Sequence, residues 1–187
     1  MSKHRAILTL AAVILLAVNA WAGEWRIDPA NSRLSFTGMQ AGRPFEGLFE
    51  KFTANVRFDE SDLAASKAVV VIDMASARTG NAQGDDAVRG QDWFAVATYP
   101  QARFETKSFR HAAGDRYEAD AVLTIRDAAK PVVLPFTLEK AQAGTRARGE
   151  LVIDRTDFGV GQGQWASPQL VAHEFTIRFD LLAAPLP

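Results

Sequence analysis

Residues 116–126 read Arg-Tyr-Glu-Ala-Asp-Ala-Val-Leu-Thr-Ile-Arg, and this stretch decides the fold class. The odd-numbered positions from Tyr117 to Ile125 are all apolar, whereas the positions between them are mostly charged or polar. A period of two is typical of a β-strand, because successive side chains point to opposite faces of a sheet. The stretch therefore predicts a strand with one buried face and one face in water.

The same period recurs along the chain and predicts about eight strands. Turn-forming residues separate the runs, as in Ala113-Gly114-Asp115 and Ala143-Gly144-Thr145. The two clearest further runs are residues 48–58 and 171–181, and the shorter ones are residues 33–37, 68–74, 102–109, 132–138 and 147–153. Only residues 82–97 have a helical pattern, and their glycines limit it to one or two short helices.

An alternating sheet with a phenylalanine-rich face must either close on itself or pack against a second sheet. A sandwich fills its interior with side chains, whereas an eight-stranded barrel can leave room for one small ligand. Four small residues on the apolar faces favour a barrel with space for a ligand, and they are Ala54, Ala119, Ala121 and Ala147. The sequence therefore predicts an all-β fold, an eight-stranded antiparallel barrel with one or two short helices closing an end.

The first 22 residues have the pattern of a cleavable secretory signal. Lys3 and Arg5 precede an uncharged run from residue 6 to residue 18, and Ala20-Trp21-Ala22 follows. The alternative is a membrane anchor, but the apolar run is shorter than the roughly 20 residues that span a bilayer. We expect cleavage between Ala22 and Gly23, which leaves residues 23–187 as a single domain outside the cytoplasm.

The composition excludes some classes of function. Loss of Lys3 and Arg5 reduces the 21 basic side chains to 19, against 22 acidic ones, so nucleic acid is not an expected partner. The chain contains no cysteine, so its stability must come from packing, for which about 165 residues suffice. Histidine and acidic residues do not cluster at metal-ligand spacing, and no G-x-S-x-G nucleophile motif is present.

A series of short motifs resembles the YceI-like family of polyisoprenoid-binding periplasmic proteins. The series runs in the family's order over nearly the whole of residues 23–187. Its members include Trp25-Arg-Ile-Asp-Pro-Ala-Asn-Ser32, Gly47-Leu-Phe49, Met74-Ala-Ser-Ala-Arg-Thr-Gly80, Asp92-Trp-Phe94, Leu123-Thr-Ile-Arg126, Lys130-Pro-Val132 and Arg155-Thr-Asp-Phe-Gly159. The resemblance implies a lipocalin-like barrel in the periplasm, often dimeric, whose apolar tunnel holds an isoprenoid chain.

The chain departs from the family pattern at three places. Ala87-Val88 stands where the family usually has His-Leu, Asp127 stands where a glycine is common, and Ala172-His173 replaces a usual Gly-Asp. These positions lie near the predicted helix and at strand ends. The departures therefore bear on the preferred head group of the ligand more than on the fold.

The apolar faces of the strands supply candidates for the ligand-binding wall. These candidates are Phe36, Phe52, Phe58, Leu123, Ile125, Phe136, Phe175 and Ile177. Aromatic residues near strand ends or in loops are candidates for a gate at the mouth, and they are Phe45, Phe49, Trp93, Phe94, Phe158 and Trp165. The alternative for each of these residues is an ordinary place in the core.

Three polar residues are candidates for contact with a ligand head group, namely Arg78, Arg89 and His173. A guanidinium group offers a planar fork of donors to a phosphate or a quinone oxygen. The alternative is that these arginines, like Arg155 in the last long loop, form ion pairs and caps that hold loops in place. His173 shares the parity of Phe175 and Ile177, but it is equally consistent with a surface position at a strand start.

The leading hypothesis is a non-enzymatic carrier of a long isoprenoid or fatty chain, such as an isoprenoid quinone or its precursor, which requires no cofactor. One alternative is an enzyme that acts on a lipid or small molecule, with His173 or the pair Asp86 and Asp92 as acid-base groups. Another is a module that binds a membrane electron-transfer protein. A homodimer is also expected from the resemblance.

Overall fold

The structure is a computed structural model, and it describes residues 23–186. The predicted signal, residues 1–22, lies outside the described residues. The described residues form ten strands: β1 Glu24–Gln40, β2 Arg43–Phe49, β3 Phe52–Arg57, β4 Lys67–Asp73, β5 Ala77–Arg78, β6 Gln101–Ala113, β7 Arg116–Ile125, β8 Ala128–Ala141, β9 Gly144–Asp154 and β10 Glu174–Pro185. One helix, α1, spans Ala82–Arg89, and short 3₁₀ turns span Met74–Ser76, Arg155–Phe158 and Gly163–Ala166.

Antiparallel pairing between the first and last long strands closes the sheet. β1 pairs with β10 from Trp25 opposite Pro185 to Thr37 opposite Thr176. β2 and β3 lie end to end along β1, because β2 pairs with its second half and β3 with Glu24 and Trp25. They act as one wall strand, and the two-residue β5 only extends β2. The barrel therefore has eight wall strands, which confirms the predicted fold class.

Strand β7 has one buried face and one outer face, as the alternation of residues 116–126 predicts. All five apolar positions of β7 from Tyr117 to Ile125 are buried, and they point into the barrel. The polar positions between them are at least partly exposed on the outer surface. Burial of the five apolar side chains fixes the register of β7, because a slip of one residue would move all of them to the solvent face.

One part of the wall is incompletely paired. β8 pairs with β7 over Ala128–Thr137, but it pairs with β9 only between residues 136–141 and 144–149. The structure records no ladder pair between residues 128–135 of β8 and residues 150–154 of β9. We call these two facing segments the β8–β9 seam. Pro131 and Pro135 lie in it, and proline cannot donate a ladder hydrogen bond.

The two ends of the barrel differ in their connections. At one end lie the β6–β7 and β8–β9 hairpins, the β3–β4 loop and both Gly23 and Pro185. At the other end lie α1 and the 3₁₀ turns, within the β4–β6 and β9–β10 connections. The predicted closure of one end by a short helix is confirmed. The helix is shorter than residues 82–97 because Gly90 caps it, its N–H reaching the carbonyls of Asp86 and Ala87.

Candidate ligand-binding cavity

A cavity of about 500 Å³ lies inside the barrel. This volume falls within the range of sites that take small organic ligands. The residues that line it are mostly apolar and come from every wall strand, among them Trp25, Leu34, Phe52, Val70, Phe104, Leu123, Leu134, Phe136, Ala147, Leu151, Ile177, Phe179 and Leu181. Along β10 the lining residues recur at every second position from Ile177 to Pro185, so the cavity follows the length of the strand.

The cavity opens at the end of the barrel that carries the β6–β7 and β8–β9 hairpins and the β3–β4 loop. Four polar lining residues lie there, and they are Asp59, Glu60, Ser61 and Thr145. The Ser61 hydroxyl donates to Asp59 at 2.6 Å and holds the pKa of that carboxyl below its ordinary value. The Tyr117 hydroxyl donates to Glu60 at 3.0 Å. The mouth is therefore polar and carries carboxylates.

The remaining polar lining residue lies deeper, and its hydrogen-bonding groups are occupied. Thr106 is buried, and its hydroxyl accepts from the Ala68 N–H at 2.8 Å and lies 3.3 Å from the Ala68 carbonyl oxygen. The deep part of the cavity therefore offers a guest no unoccupied side-chain donor or acceptor among the described lining residues. An apolar group is the natural occupant, because a polar one would lose its hydrogen bonds to water.

Small residues create part of the space. Ala68, Ala119, Ala147 and Ala183 line the cavity, so the prediction that inward alanines leave room is correct for Ala119 and Ala147. Ala54 and Ala121 share the inward parity but do not line it.

Aromatic side chains close the opposite end, and we call them the floor cluster: Phe36, Phe45, Phe49, Trp93, Phe94, Trp165 and Phe175. The Phe36 ring lies at the centre, with centroids of four other phenylalanine rings 5.2 to 6.5 Å away. Trp93 contacts both Trp165 and Phe175. A Cβ atom at Gly47 would collide with the Phe36 ring, so this glycine permits the close packing.

A buried arginine holds the loop beneath the floor cluster. The Arg155 side chain donates to five backbone carbonyls, which belong to Val160, Gly161, Trp165, Val171 and Ala172. Its guanidinium carbon also lies 5.6 Å from the centroid of the Trp93 ring. One side chain thus fixes residues 160–172 against the barrel.

The predicted wall residues divide between the cavity and the closed end. Phe52, Phe58, Leu123, Phe136 and Ile177 line the cavity. Phe36, Ile125 and Phe175 do not line it, and they pack in the core of the closed end. The sequence period identifies the inward face of a strand correctly, but it gives no measure of depth along the barrel axis.

The predicted gate lies at the wrong end of the barrel. Phe45, Phe49, Trp93, Phe94 and Trp165 belong to the floor cluster, and Phe158 is buried beside it in the 3₁₀ turn that follows β9. None of these six residues lines the cavity. Their aromatic rings seal the barrel instead of gating it, because the connections that carry them fold over the closed end.

The three predicted head-group residues also lie at the closed end, and none lines the cavity. Arg78 forms an ion pair with Glu50 at 3.2 Å, and Arg89 donates to the Asp85 carbonyl oxygen at 2.8 Å. The His173 Nε2 lies 3.0 Å from the carbonyl oxygen of Ala166. The alternative interpretation, ion pairs and caps that hold loops in place, describes these residues correctly.

Sequence reasoning missed several lining residues. Phe179 and Leu181 have the same parity as Ile177, so the strand period alone could have identified them. The strand period does not identify Trp25 and Glu60 as lining residues, because their place at the mouth depends on which end of the barrel is open. The Trp25 indole N–H donates to the Phe58 carbonyl oxygen at 2.9 Å, which holds its ring at the mouth.

Residues 23–186, the part of the chain that the structure describes, contain no group of three or more histidine, cysteine, aspartate or glutamate residues arranged to hold a metal ion. Their one α-helix is too short and too polar to cross a membrane.

The antiparallel barrel and its apolar cavity define the class of the protein, a lipocalin-like β-barrel. The chain belongs to the YceI-like family, since the model of the YceI-like domain matches residues 25–183. Protein YceI of Escherichia coli O157:H7 is 30% identical over 174 residues, which cover 85% of this chain and 91% of that protein.

Solved structures share the fold. The crystal structure of Burkholderia cenocepacia BcnA has a TM-score of 0.81 and 38% identity, and the match covers 85% of this chain and 99% of BcnA. A polyisoprenoid binding domain from Saccharophagus degradans has a TM-score of 0.70 and 17% identity over 88% of this chain and 99% of that domain. At that identity the second likeness shows the fold alone.

Proposed function

We propose that this protein binds one long apolar chain, of the isoprenoid or fatty type, inside its barrel. The cavity is the observation that carries the proposal, because it is deep, apolar and open at one end. The structurally similar Saccharophagus degradans domain is a polyisoprenoid binding domain, which supports the same ligand class.

The hydrophobic effect is sufficient for useful affinity. Burial of each methylene group contributes about 0.8 kcal/mol, so ten buried carbons give about 8 kcal/mol before ordering costs. This gross free energy corresponds to a dissociation constant of about 1 μM, and a longer chain offsets the cost of its immobilisation.

The chain end of the ligand enters first. The deep lining offers no unoccupied polar side chain among the described residues, whereas the mouth carries Asp59, Glu60, Ser61 and Thr145. A polar head group placed in the deep part would lose its hydrogen bonds to water without replacement. The head group therefore stays at the mouth.

We further propose that the protein sequesters or carries this ligand in the periplasm, without catalysis and without a required cofactor. The signal-like residues 1–22 support the location. An isoprenoid quinone or its precursor fits the cavity chemistry, and so does a fatty chain. The acid-base candidates of the enzymatic alternative, His173, Asp86 and Asp92, do not line the cavity. The homodimer and the membrane electron-transfer partner stay predictions.

Two matched variants test the binding site. Ala147 lines the cavity on β9, and Val152 of the same strand is 56% exposed on the outer surface. Ala147→Phe fills part of the cavity and should weaken binding of farnesol about tenfold or more, which is a loss of about 1.4 kcal/mol. Val152→Phe adds an aromatic ring outside the barrel and should leave the affinity unchanged.

The measurement is displacement of an environment-sensitive apolar dye, together with organic extraction of the freshly purified protein and mass spectrometry. We expect the extract of the unmodified protein to contain a long-chain apolar compound that is depleted in Ala147→Phe. An extract without such a compound, combined with no uptake of farnesol, retinol or a long-chain quinone, would refute the proposed function.

A further inference from the structure

The charge of the mouth bears on which ligand head groups the barrel accepts. Two of its four polar lining residues are carboxylates, Asp59 and Glu60, and the other two, Ser61 and Thr145, are neutral. The described residues that line the cavity include no lysine, arginine or histidine. An anionic head group at this mouth would therefore meet like charge and no cation in direct contact.

Basic side chains near the mouth lie outside the lining of the cavity. Lys140 pairs with Thr145 across β8 and β9, but it is exposed at the hairpin tip. His111 is also exposed, and its Nε2 lies 2.8 Å from the Gly114 carbonyl oxygen. Arg57 lies between two lining residues of the wall, so strand alternation directs it to the outer surface. The charge of Arg57 contributes to lowering the pKa of Asp59, but Arg57, Lys140 and His111 do not line the cavity.

Glu60 is held at the mouth by a buried partner. Its Oε2 atom accepts the hydrogen bond from Tyr117, whose ring packs against Phe58 and Phe136, both of which line the cavity. Burial, with the hydrogen bond to Glu60, raises the pKa of Tyr117, so the phenol keeps its proton and donates it. The second carboxylate oxygen of Glu60 remains available to accept a hydrogen bond from a guest.

Asp59 contributes charge more than hydrogen bonding. One of its oxygens already accepts from the Ser61 N–H at 2.8 Å and from the Ser61 hydroxyl at 2.6 Å. Because Ser61 stabilises the ionised form, Asp59 stays negative under ordinary conditions. The mouth therefore combines negative charge with carboxylate oxygens that can still accept a hydrogen bond, among them the second oxygen of Glu60.

We infer that Glu60 determines specificity at the mouth, which accepts uncharged head groups bearing an O–H or N–H donor and disfavours phosphate and carboxylate. This inference rests on the proposed function and defines its ligand class more narrowly. A neutral donor satisfies the second oxygen of Glu60, whereas a phosphate places a charge of about −1.5 to −2 beside two carboxylates. Like charges at such short range disfavour binding by about tenfold near a protein surface.

Three ligands with the same C15 chain test the inference, and they are farnesol, farnesyl methyl ether and farnesyl monophosphate. Their affinities are compared by dye displacement on the full, lipid-stripped protein at low ionic strength. We expect farnesol to bind about tenfold more tightly than the monophosphate, with the ether between them. Added salt should tighten binding of the monophosphate and leave that of farnesol unchanged.

Glu60→Gln removes the charge but keeps an oxygen for the Tyr117 hydroxyl, so the preference for farnesol over the monophosphate should fall to about threefold or less. Glu174→Gln is the matched control, because Glu174 is an exposed carboxylate of β10 at the closed end. This variant should keep the full preference.

The outcomes separate the two proposals. Failure of all three ligands to bind the unmodified protein would remove the proposed function together with the inference. Binding of the monophosphate as tightly as farnesol, or an equal preference in Glu60→Gln and Glu174→Gln, would overturn the inference alone. Equal affinity for farnesol and its methyl ether would overturn the hydrogen-bonding role of Glu60.

Discussion

Arg155 shows how a single residue fixes the closed end of the barrel. Its side chain is 1% exposed, and all five of its hydrogen bonds go to backbone carbonyls of the β9–β10 connection. Burial lowers the pKa of Arg155, yet a guanidinium group stays charged in proteins. The carbonyl dipoles and the face of Trp93 compensate part of the cost of burying this charge.

Arg155→Lys should therefore destabilise the fold. A lysine ammonium has three donors on a flexible stem and cannot reach five carbonyls that match a planar fork. Each buried carbonyl left without a partner costs about 1 to 3 kcal/mol, so we expect the free energy of unfolding to fall by about 3 kcal/mol. Urea denaturation followed by tryptophan fluorescence measures this change.

Arg148→Lys provides the comparison at an exposed site. Arg148 pairs with Glu139 and Asp180 on the outer surface, where ion pairs contribute about 1 kcal/mol or less. If the free energy of unfolding falls no further in Arg155→Lys than in Arg148→Lys, the structural role of Arg155 is contradicted. The sequence offers a loop-holding role for Arg155 as one alternative, but it does not identify the carbonyl partners, because they extend up to 17 residues further along the chain.

At the scale of the strand, two prolines explain where the β8–β9 ladder ends. In an antiparallel pair, residues alternate between hydrogen-bonded and non-hydrogen-bonded positions. Pro131 and Pro135 pair with Val122 and Glu118 of β7 without interrupting that ladder, so they occupy its non-hydrogen-bonded positions. The ring nitrogens of both prolines therefore face β9, where a donor is missing. The ladder to β9 stops at Phe136 opposite Gly149.

The seam should be visible in amide hydrogen exchange. Val133 has the same parity as the two prolines, so its N–H faces the unpaired side, whereas the N–H groups of Val132 and Leu134 face β7. We expect the Val133 amide to exchange at least about tenfold faster than those of both neighbours. Residue-resolved exchange by NMR tests this, and equal protection at the three positions would show that the seam is closed.

The sequence predicted the strands better than it predicted the site. A period of two reports burial directly, so residues such as Tyr117 and Leu123 were placed on the correct face from their neighbours alone. The open end depends on which connections fold over the barrel, and that is decided by contacts distant in sequence. Phe45 and Trp93 were therefore predicted at the mouth, although they contact Phe175 in the floor cluster.

At the scale of the whole molecule, the two ends of the barrel have opposite properties. The closed end is filled by the floor cluster and by the loop that Arg155 holds, so its packing contributes to stability. The open half has a cavity of about 500 Å³ that its own side chains do not fill. Without a guest, apolar space of this kind forfeits dispersion contacts that a filled interior would make.

A bound apolar chain should restore that stability in proportion to its affinity. A ligand that binds only the folded state adds about 2.7 kcal/mol to the free energy of unfolding when its free concentration is 100 times its dissociation constant. We expect farnesol to raise the urea midpoint of the lipid-stripped protein, and Val152→Phe to show the same increase. Ala147→Phe, with its cavity partly filled, should respond much less at the same farnesol concentration. An equal increase in Ala147→Phe and the unmodified protein would place the bound ligand outside the barrel, since only an interior site depends on the space beside Ala147.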